Sequence, residues 1–257
     1  MKTLIGIVIP TLGDRPNFIV ECIESVREAG ESVIAIVAPK NVHQHLVEVG
    51  LKPDVWVDDP GQGAAAAINE GIQALPSDIT IVGWIGDDDL LERGSLRWAE
   101  AELGKGSCAA YGQCRYIDAE GNEVFVNKSG NFARFMMRFG PNLVPQPGSL
   151  ILRSAWDEVG GLDESLKWTF DLDLFLKLRL VGKMSFVPHV LASFRWHDGS
   201  LTAGSRRGSV EEASEVRQRH MGPLLRFLSR IWEPVVRQII LRAGSRVTKR
   251  ALRMAKK

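Results

Sequence analysis

Short apolar runs rich in Val and Ile alternate with stretches of helical periodicity over the first hundred residues. Residues 4–9, 33–37, 54–57 and 79–84 read as buried strands, and residues near 16–29, 41–49, 63–74 and 92–103 read as helices between them. Unbroken apolar strands spaced by helices predict a mostly parallel sheet covered on both faces. In such sheets ligands bind beyond the carboxyl ends of the strands. Those ends here are Pro10-Thr11-Leu12-Gly13-Asp14, Ala38-Pro39-Lys40, Asp58-Asp59-Pro60-Gly61 and Gly86-Asp87-Asp88-Asp89.

Beyond residue 105 the pattern changes. Residues 109–117 and 123–126 flank Asp118-Ala119-Glu120-Gly121-Asn122, a hairpin signal. A helix near 131–139, a strand at 148–152, a helix near 171–181 and a strand at 190–196 follow. The expected organisation is one two-part α/β domain over 1–205, divided into 1–105 and 106–205, with an appended helical tail over 206–257.

Composition adds exclusions. The 257 residues are 45% hydrophobic and 25% charged, average for a globular chain and far from disorder or fibrous repeats. Pro10 follows the apolar start with no small-residue cleavage site, so a secretory signal is not expected. No window approaches a spanning helix. Three cysteines, Cys22, Cys108 and Cys114, lack metal-type spacing and suit a reducing compartment, so a cytoplasmic location is expected.

The net charge of +1 conceals an asymmetry. Residues 217–257 hold nine Arg and three Lys against one acid, Glu233, a local balance of +11 that leaves −10 on the remainder. Within this tail Leu224, Leu225, Leu228, Ile231, Trp232, Val235, Val236 and Ile239 form a wide helical stripe. Pro234 is expected to kink the run or start a second helix. Three occupants compete for the stripe: the domain itself or a second subunit in a homodimer, an anionic membrane interface, and nucleic acid, which basic clusters also suit and which is the weakest of the three.

Asp87-Asp88-Asp89 is the sharpest chemical feature. Three carboxylates emerge together from a buried strand, and their repulsion is costly unless a cation or solvent relieves it. Hard ions such as Mg²⁺ take oxygen ligands and bridge to substrate phosphates, although an acidic turn that caps the next helix has the same composition. Asp171 and Asp173 open the helix near 171–181. Each suits a cap favoured by the helix dipole, and each suits a general base. Gly61-Gln62-Gly63-Ala64-Ala65-Ala66 imitates a dinucleotide-binding fingerprint, the basis for a nicotinamide-dependent oxidoreductase reading, but small residues there also permit close helix–sheet packing. His197 is a metal ligand or a solvated loop residue, and Trp168 and Trp196 are sugar-stacking or packing residues.

Taken in order, these segments resemble a family 2 glycosyltransferase of the GT-A fold. Ile7-Val8-Ile9-Pro10-Thr11 resembles its first strand and nucleotide-contacting turn. Asp58-Asp59-Pro60-Gly61-Gln62-Gly63 through Asn69-Glu70-Gly71 resembles its glycine-containing loop and Asn-x-Gly helix. Trp84-Ile85-Gly86-Asp87-Asp88-Asp89 resembles the aspartate motif. Gln146-Pro147-Gly148-Ser149, Gly160-Gly161-Leu162-Asp163-Glu164 and Asp171-Leu172-Asp173-Leu174 resemble the acceptor side, and Phe194-Arg195-Trp196-His197-Asp198-Gly199-Ser200 the closing segment. Four positions depart from the family pattern: Ala38-Pro39-Lys40-Asn41 replaces an acidic base-contacting run, Ile68 an Arg, Phe170 an acid, and Gly86 an Asp.

The resemblance implies a Rossmann-like sheet and inverting transfer from a nucleotide-diphosphate sugar to a hydroxyl acceptor, a lipid-linked or cell-surface glycan. It implies Asp171 as the base and Pro10, Thr11, Asp59, Gly61, Asn69, Asp87 and Asp88 at the donor. Asp88, Asp89 and His197 would hold Mg²⁺ or Mn²⁺. A membrane-bound tail would place the enzyme at the inner face of the plasma membrane. The competing reading is a protein that binds sugar nucleotides without turnover.

Overall fold

A computed structural model describes residues 4–128, 130–196 and 206–254. Its strands are β1 (Ile5–Pro10), β2 (Val33–Ala38), β3 (Val55–Asp58), β4 (Ile81–Trp84), β5 (Leu90–Leu91), β6 (Ala109–Ile117), β7 (Glu123–Asn127), β8 (Leu150–Leu152) and β9 (Met184–Arg195). Its helices are α1 (Pro16–Ala29), α2 (His43–Glu48), α3 (Ala64–Ala74), α4 (Ser95–Leu103), α5 (Ala133–Met136), α6 (Arg153–Val159), α7 (Phe170–Val181), α8 (Arg206–Arg219) and α9 (Pro223–Met254). The strands join in one sheet of order β3-β2-β1-β4-β8-β6-β9-β5, with β7 added on β6.

The parallel part of the sheet coincides with the βα repeats. β1 pairs in parallel with β2 and β4, and β2 with β3. Side chains of β1 alternate between two cores, as period-two geometry requires. Val8 packs with Ile68, Ile72 and Phe175 on one face, while Ile7 and Ile9 pack with Ile19, Val26 and Leu96 on the other. The helix after the glycine run lies close against the sheet. A Cβ on Gly71 would stand 2.4 Å from Val8 Cγ1 and 2.7 Å from Val37 Cγ2, and Ala65, Ala66 and Ala67 are buried. The small residues here serve packing.

The sheet is parallel through its first half, as expected, and mixed beyond it. β8 runs antiparallel to both β4 and β6, β5 to β9, and β7 to β6, while β6 and β9 are parallel. Parallel neighbours need a long crossover, usually a helix. Past residue 105 turns and loops replace many of those crossovers, and strands enter in both directions. β9 also begins earlier than expected, because Pro188 falls where the β6/β9 register shifts between Val187 and Val190, a place that tolerates proline.

The tail is folded onto the body. α8 packs on α7, and α9 on α8. The fully buried guanidinium of Arg217 joins them, donating through Nε and Nη2 to the two carboxylate oxygens of Glu233, each at 2.9 Å. α9 passes through Pro234 without ending, so the proline does not start a second helix, one of its two expected effects. A mid-helix proline costs about 3 kcal/mol. Here the helix is pinned on both sides of it, by Glu233 and by Arg237, which donates to Ser214 at 2.9 Å.

The apolar stripe of α9 is split. Leu225, Trp232 and Val236 turn partly inward, whereas Leu224, Leu228, Ile231, Val235 and Ile239 are exposed together with Phe227. The domain therefore covers only one edge of it. Among the described residues, no helix is long and apolar enough to cross a membrane.

Candidate functional site

The carboxyl ends of β1 and β4 open into a cleft of about 960 Å³. Pro10, Thr11, Asp59, Gly61, Asp87, Asp88 and Asp89 line it from the first half of the chain. Trp168, Asp171 and Trp196 line it from the second, and Val210, Ala213, Arg217 and Ile240 of the tail helices complete the wall. Asn69, expected at the donor, is not in this lining. Its Nδ2 donates to the Leu162 carbonyl at 3.0 Å and to Glu164 at 2.8 Å, and its Oδ1 accepts the Leu162 N–H at 3.0 Å. Its amide is spent tying α3 to the loop before α7. His197 lies outside the described residues.

The aspartates at the end of β4 differ in environment. Asp87 is buried and accepts the Thr11 hydroxyl at 2.6 Å. Arg15 bridges the cluster, with Nη2 2.9 Å from Asp87 and Nη1 2.6 Å from Asp88. Asp89, also buried, accepts the backbone N–H of Arg195 at 2.9 Å. Burial pushes Asp87 up to about 6 against the opposing pull of Thr11 and Arg15. Burial, then the charge of Asp88, pushes Asp89 well above the usual carboxylate range. Arg15 was not anticipated; a basic residue just past the first strand end, facing an acidic strand end, was the available signal.

Gly86, where the family pattern has an Asp, lies directly beneath two of the aspartates. A Cβ there would stand 2.9 Å from Asp88 Oδ1 and 3.3 Å from Asp89 Oδ2. Two carboxylate oxygens therefore converge above a bare backbone. Among the described residues no group of three His, Cys, Asp or Glu side chains forms a metal cage. Two carboxylates, with phosphate oxygens and water for the rest, is the way Mg²⁺ is commonly held, so the residues present fit such an ion.

The pair at the start of α7 is resolved by geometry. Asp173 faces away from the cleft, bonded to His220 Nε2 at 2.7 Å and Lys177 Nζ at 2.8 Å. Asp171 faces into it, half-buried, and accepts from Asn142 Nδ2 at 3.1 Å. Burial pushes Asp171 up to about 6, against hydrogen bonds from the backbone N–H groups of Leu172 and Asp171 itself and from Asn142. A carboxylate near 6 is half-ionised close to neutrality, the range that suits a general base. Asn142 and the tail residues of this wall carried no sequence signal, being brought in only by tertiary packing.

No protein-family model and no curated protein sequence matches the chain. Solved structures do. Residues 1–349 of S. aureus TarS superpose with a TM-score of 0.59 at 15% identity, covering 85% of this chain and 64% of that one. The same fragment in complex with UDP gives 0.58 at 13% identity, over 85% and 65% of the two chains. The mannosyltransferase PcManGT from Pyrobaculum calidifontis, in complex with GDP-Man and Mn²⁺, gives 0.56 at 13% identity, over 98% and 76%. The chain thus spans about two thirds of the TarS fragment. At these identities the likeness establishes the fold: a Rossmann-like α/β architecture shared with sugar-transferring enzymes, built on a mixed sheet.

Proposed function

We propose that this protein is an inverting, metal-dependent glycosyltransferase that moves a sugar from a nucleotide diphosphate to a hydroxyl acceptor. The observation that carries the reading is one cleft with Asp87–Asp89 on one wall and Asp171, raised to about 6, on the other. Pro10, Thr11, Asp59, Gly61 and Asp87 contact the donor nucleotide. Asp88 and Asp89 would hold Mg²⁺ or Mn²⁺, with His197 assigned a ligand role on the family resemblance alone. Such an ion, when bound, supplies positive charge against the diphosphate.

The residues of the chain do the rest. Asp171 takes the proton of the acceptor hydroxyl as its oxygen bonds to the anomeric carbon. The bond from that carbon to the phosphate oxygen breaks, and its electron pair leaves with the nucleoside diphosphate. A single displacement inverts the configuration. Trp168 and Trp196 offer faces on which a sugar ring can stack.

The test combines binding with turnover. Thermal shift with UDP-, GDP- and dTDP-sugars should show stabilisation by at least one of them that depends on Mn²⁺. Asp171→Asn should lower turnover of that donor by about 10²–10⁴-fold, the usual worth of a general base, with donor affinity nearly unchanged. Donor binding without metal-dependent turnover would instead favour a sugar-nucleotide-binding protein. Binding of a nicotinamide dinucleotide in place of any sugar nucleotide would favour the oxidoreductase.

For the acceptor, the supporting observation is the outer face of α9. Leu224 and Ile231 are each 74% exposed in a row with Phe227, Leu228, Val235 and Ile239. Arg230 and Arg242 are exposed on the same helix, and the one acid of α9, Glu233, is buried against Arg217. A surface that is apolar along one line and otherwise cationic is complementary to an anionic bilayer. We assign it to peripheral contact with the inner face of the plasma membrane, with a lipid-linked acceptor presented to the cleft whose wall α8 and α9 help to build.

A further inference from the structure

The turn ahead of Asp171 is held by a residue from another helix. Thr169, at the N-cap position of α7, makes no side-chain hydrogen bond to the helix; its hydroxyl donates to Glu212 at 2.9 Å instead. The same carboxylate accepts the backbone N–H groups of Lys167 at 2.9 Å, Trp168 at 2.8 Å and Thr169 at 2.8 Å. Four donors from three consecutive residues converge on one carboxylate, supplied by α8 from 43 to 45 positions further along the chain.

This arrangement is more than packing. A helix start leaves backbone N–H groups without intrahelical partners, and a carboxylate placed there gains both charge-assisted hydrogen bonds and the favourable end of the helix dipole. The turn it grips lines the cleft through Lys167, Trp168 and Thr169, immediately ahead of Asp171. Among the described residues, no other side chain bonds the N–H groups of these three residues. Removing Glu212 would leave them unpartnered and the direction of the first helical turn less defined.

We propose that Glu212 is a positioning residue for the transfer reaction: it fixes the 167–169 turn and through it aims Asp171 at the acceptor. The proposal rests on the glycosyltransferase reading above. Glu212 also acts on Asp171 through space. Burial opposes the charge of Glu212, but its N–H and hydroxyl partners outweigh that and hold it below the usual carboxylate range. It stays ionised while Asp171 titrates, and its charge is one of the contributions that raise Asp171. Asp171 also meets the Asn142 amide and lies near the Tyr116 phenol of β6, itself pushed up by burial, and the cations Lys167 and Arg217 line the same cleft. The ionised acid of the same helix, Asp173, is compensated by His220 and Lys177.

The experiment compares Glu212→Gln, Glu212→Asp and Asp171→Asn in the full chain. The readouts are Mn²⁺-dependent hydrolysis of the donor identified by thermal shift, with water as acceptor, and the affinity of the matching nucleoside diphosphate. Glu212→Gln should lower kcat by about 10- to 100-fold, the scale of a misplaced catalytic group, and leave nucleoside diphosphate affinity within about twofold. Its pH–rate profile should move its acid limb to lower pH, because the neighbouring negative charge is gone. Glu212→Asp, which keeps the charge, should restore the acid limb and part of kcat. Wild-type kcat in Glu212→Gln, or a lower kcat with an unmoved acid limb and no rescue by Asp, would overturn the proposal. Should Glu212→Gln fail to fold, the acid limb and kcat of Glu212→Asp decide alone, wild-type kcat with a wild-type profile being the overturning result. Asp171→Asn separates the two levels: if it retains turnover, the base assignment itself has failed, whatever Glu212 does.

Discussion

From β1 to α4, the polar cleft residues lie within about five positions of a strand end: Thr11, Asp14 and Arg15 after β1, Asp59 after β3, Asp87–Asp89 after β4. On the facing wall Asp171 is bonded by Asn142 from a loop and its helix start is gripped by Glu212 from α8. One wall is assembled by local chain geometry at the edge of a parallel sheet, the other by contacts between segments far apart in sequence. The difference bears on robustness. The strand-end residues inherit their positions from the sheet, whereas Asp171 inherits its position from contacts with a loop and with the docked tail.

The largest expected effect separates the two walls by chemistry. Asp89→Asn should abolish the Mn²⁺-dependent part of donor stabilisation, while Asp171→Asn should keep it and lose turnover by about 10²–10⁴-fold. Titration of Mn²⁺ followed by electron paramagnetic resonance reads the first without any reaction. Equal metal affinity in wild type and Asp89→Asn would remove Asp89 from the metal site.

Next comes the mechanical link. Glu233→Ala leaves the Arg217 guanidinium buried without its partner, a change that costs about 3–5 kcal/mol. Donor binding should survive below the new melting point, because nothing between β1 and α4 depends on this pair, and turnover should fall as α8 loosens. Equal loss of both would show the walls to be one cooperative unit, and the comparison would fail.

This division also explains what could be read from the sequence. The βα repeats and the strand-end acids follow from short-range periodicity, so β1–β4, α1 and α3 and the strand-end lining of the cleft are legible in the sequence. Asn69 was misplaced because a motif carries no information on whether an amide faces the cleft or the Leu162 loop. The antiparallel entry of β8, the hidden start of β9 at Pro188 and the unbroken α9 depend on partners distant in the chain. Glu212 was illegible for the same reason. Nothing in Glu211-Glu212 marks one acid as solvated and the other as a clamp.

A smaller effect concerns pH and tests how Asp171 is held. Its carboxyl is raised to about 6 in the folded chain, against about 4 when unfolded. Between those values the native state binds more protons than the unfolded one, so stability falls as pH rises from about 4 to 6. Above pH 6 the ionised carboxylate is a standing cost, at most on the order of 2 kcal/mol for a partly exposed group. Asp171→Asn should therefore raise the melting temperature at pH 8 by a few degrees, roughly 2–4 °C per kcal/mol, and change it little at pH 4. An equal shift at both pH values would mean that the carboxyl is not raised.

The smallest expected effect concerns the outer face of α9, where the tail's second role would lie. Truncation is a poor probe, since removing α8 would also remove Glu212 and the wall of the cleft. Substitutions on exposed positions of the full chain leave that wall intact. The intact protein should sediment with anionic liposomes at low salt and with neutral ones much less. Ile231→Glu should abolish the difference, because it places a carboxylate in the middle of the apolar row. Arg230→Gln is the finer test: one cation near the surface is worth about 1 kcal/mol, or roughly fivefold in partitioning. That factor should shrink as salt shortens the Debye length to about 3 Å at 1 M. If the intact protein stayed in the supernatant and its mass instead rose with concentration, the row would be a contact between copies of the chain. The outer face of α9 would then meet a second subunit instead of lipid.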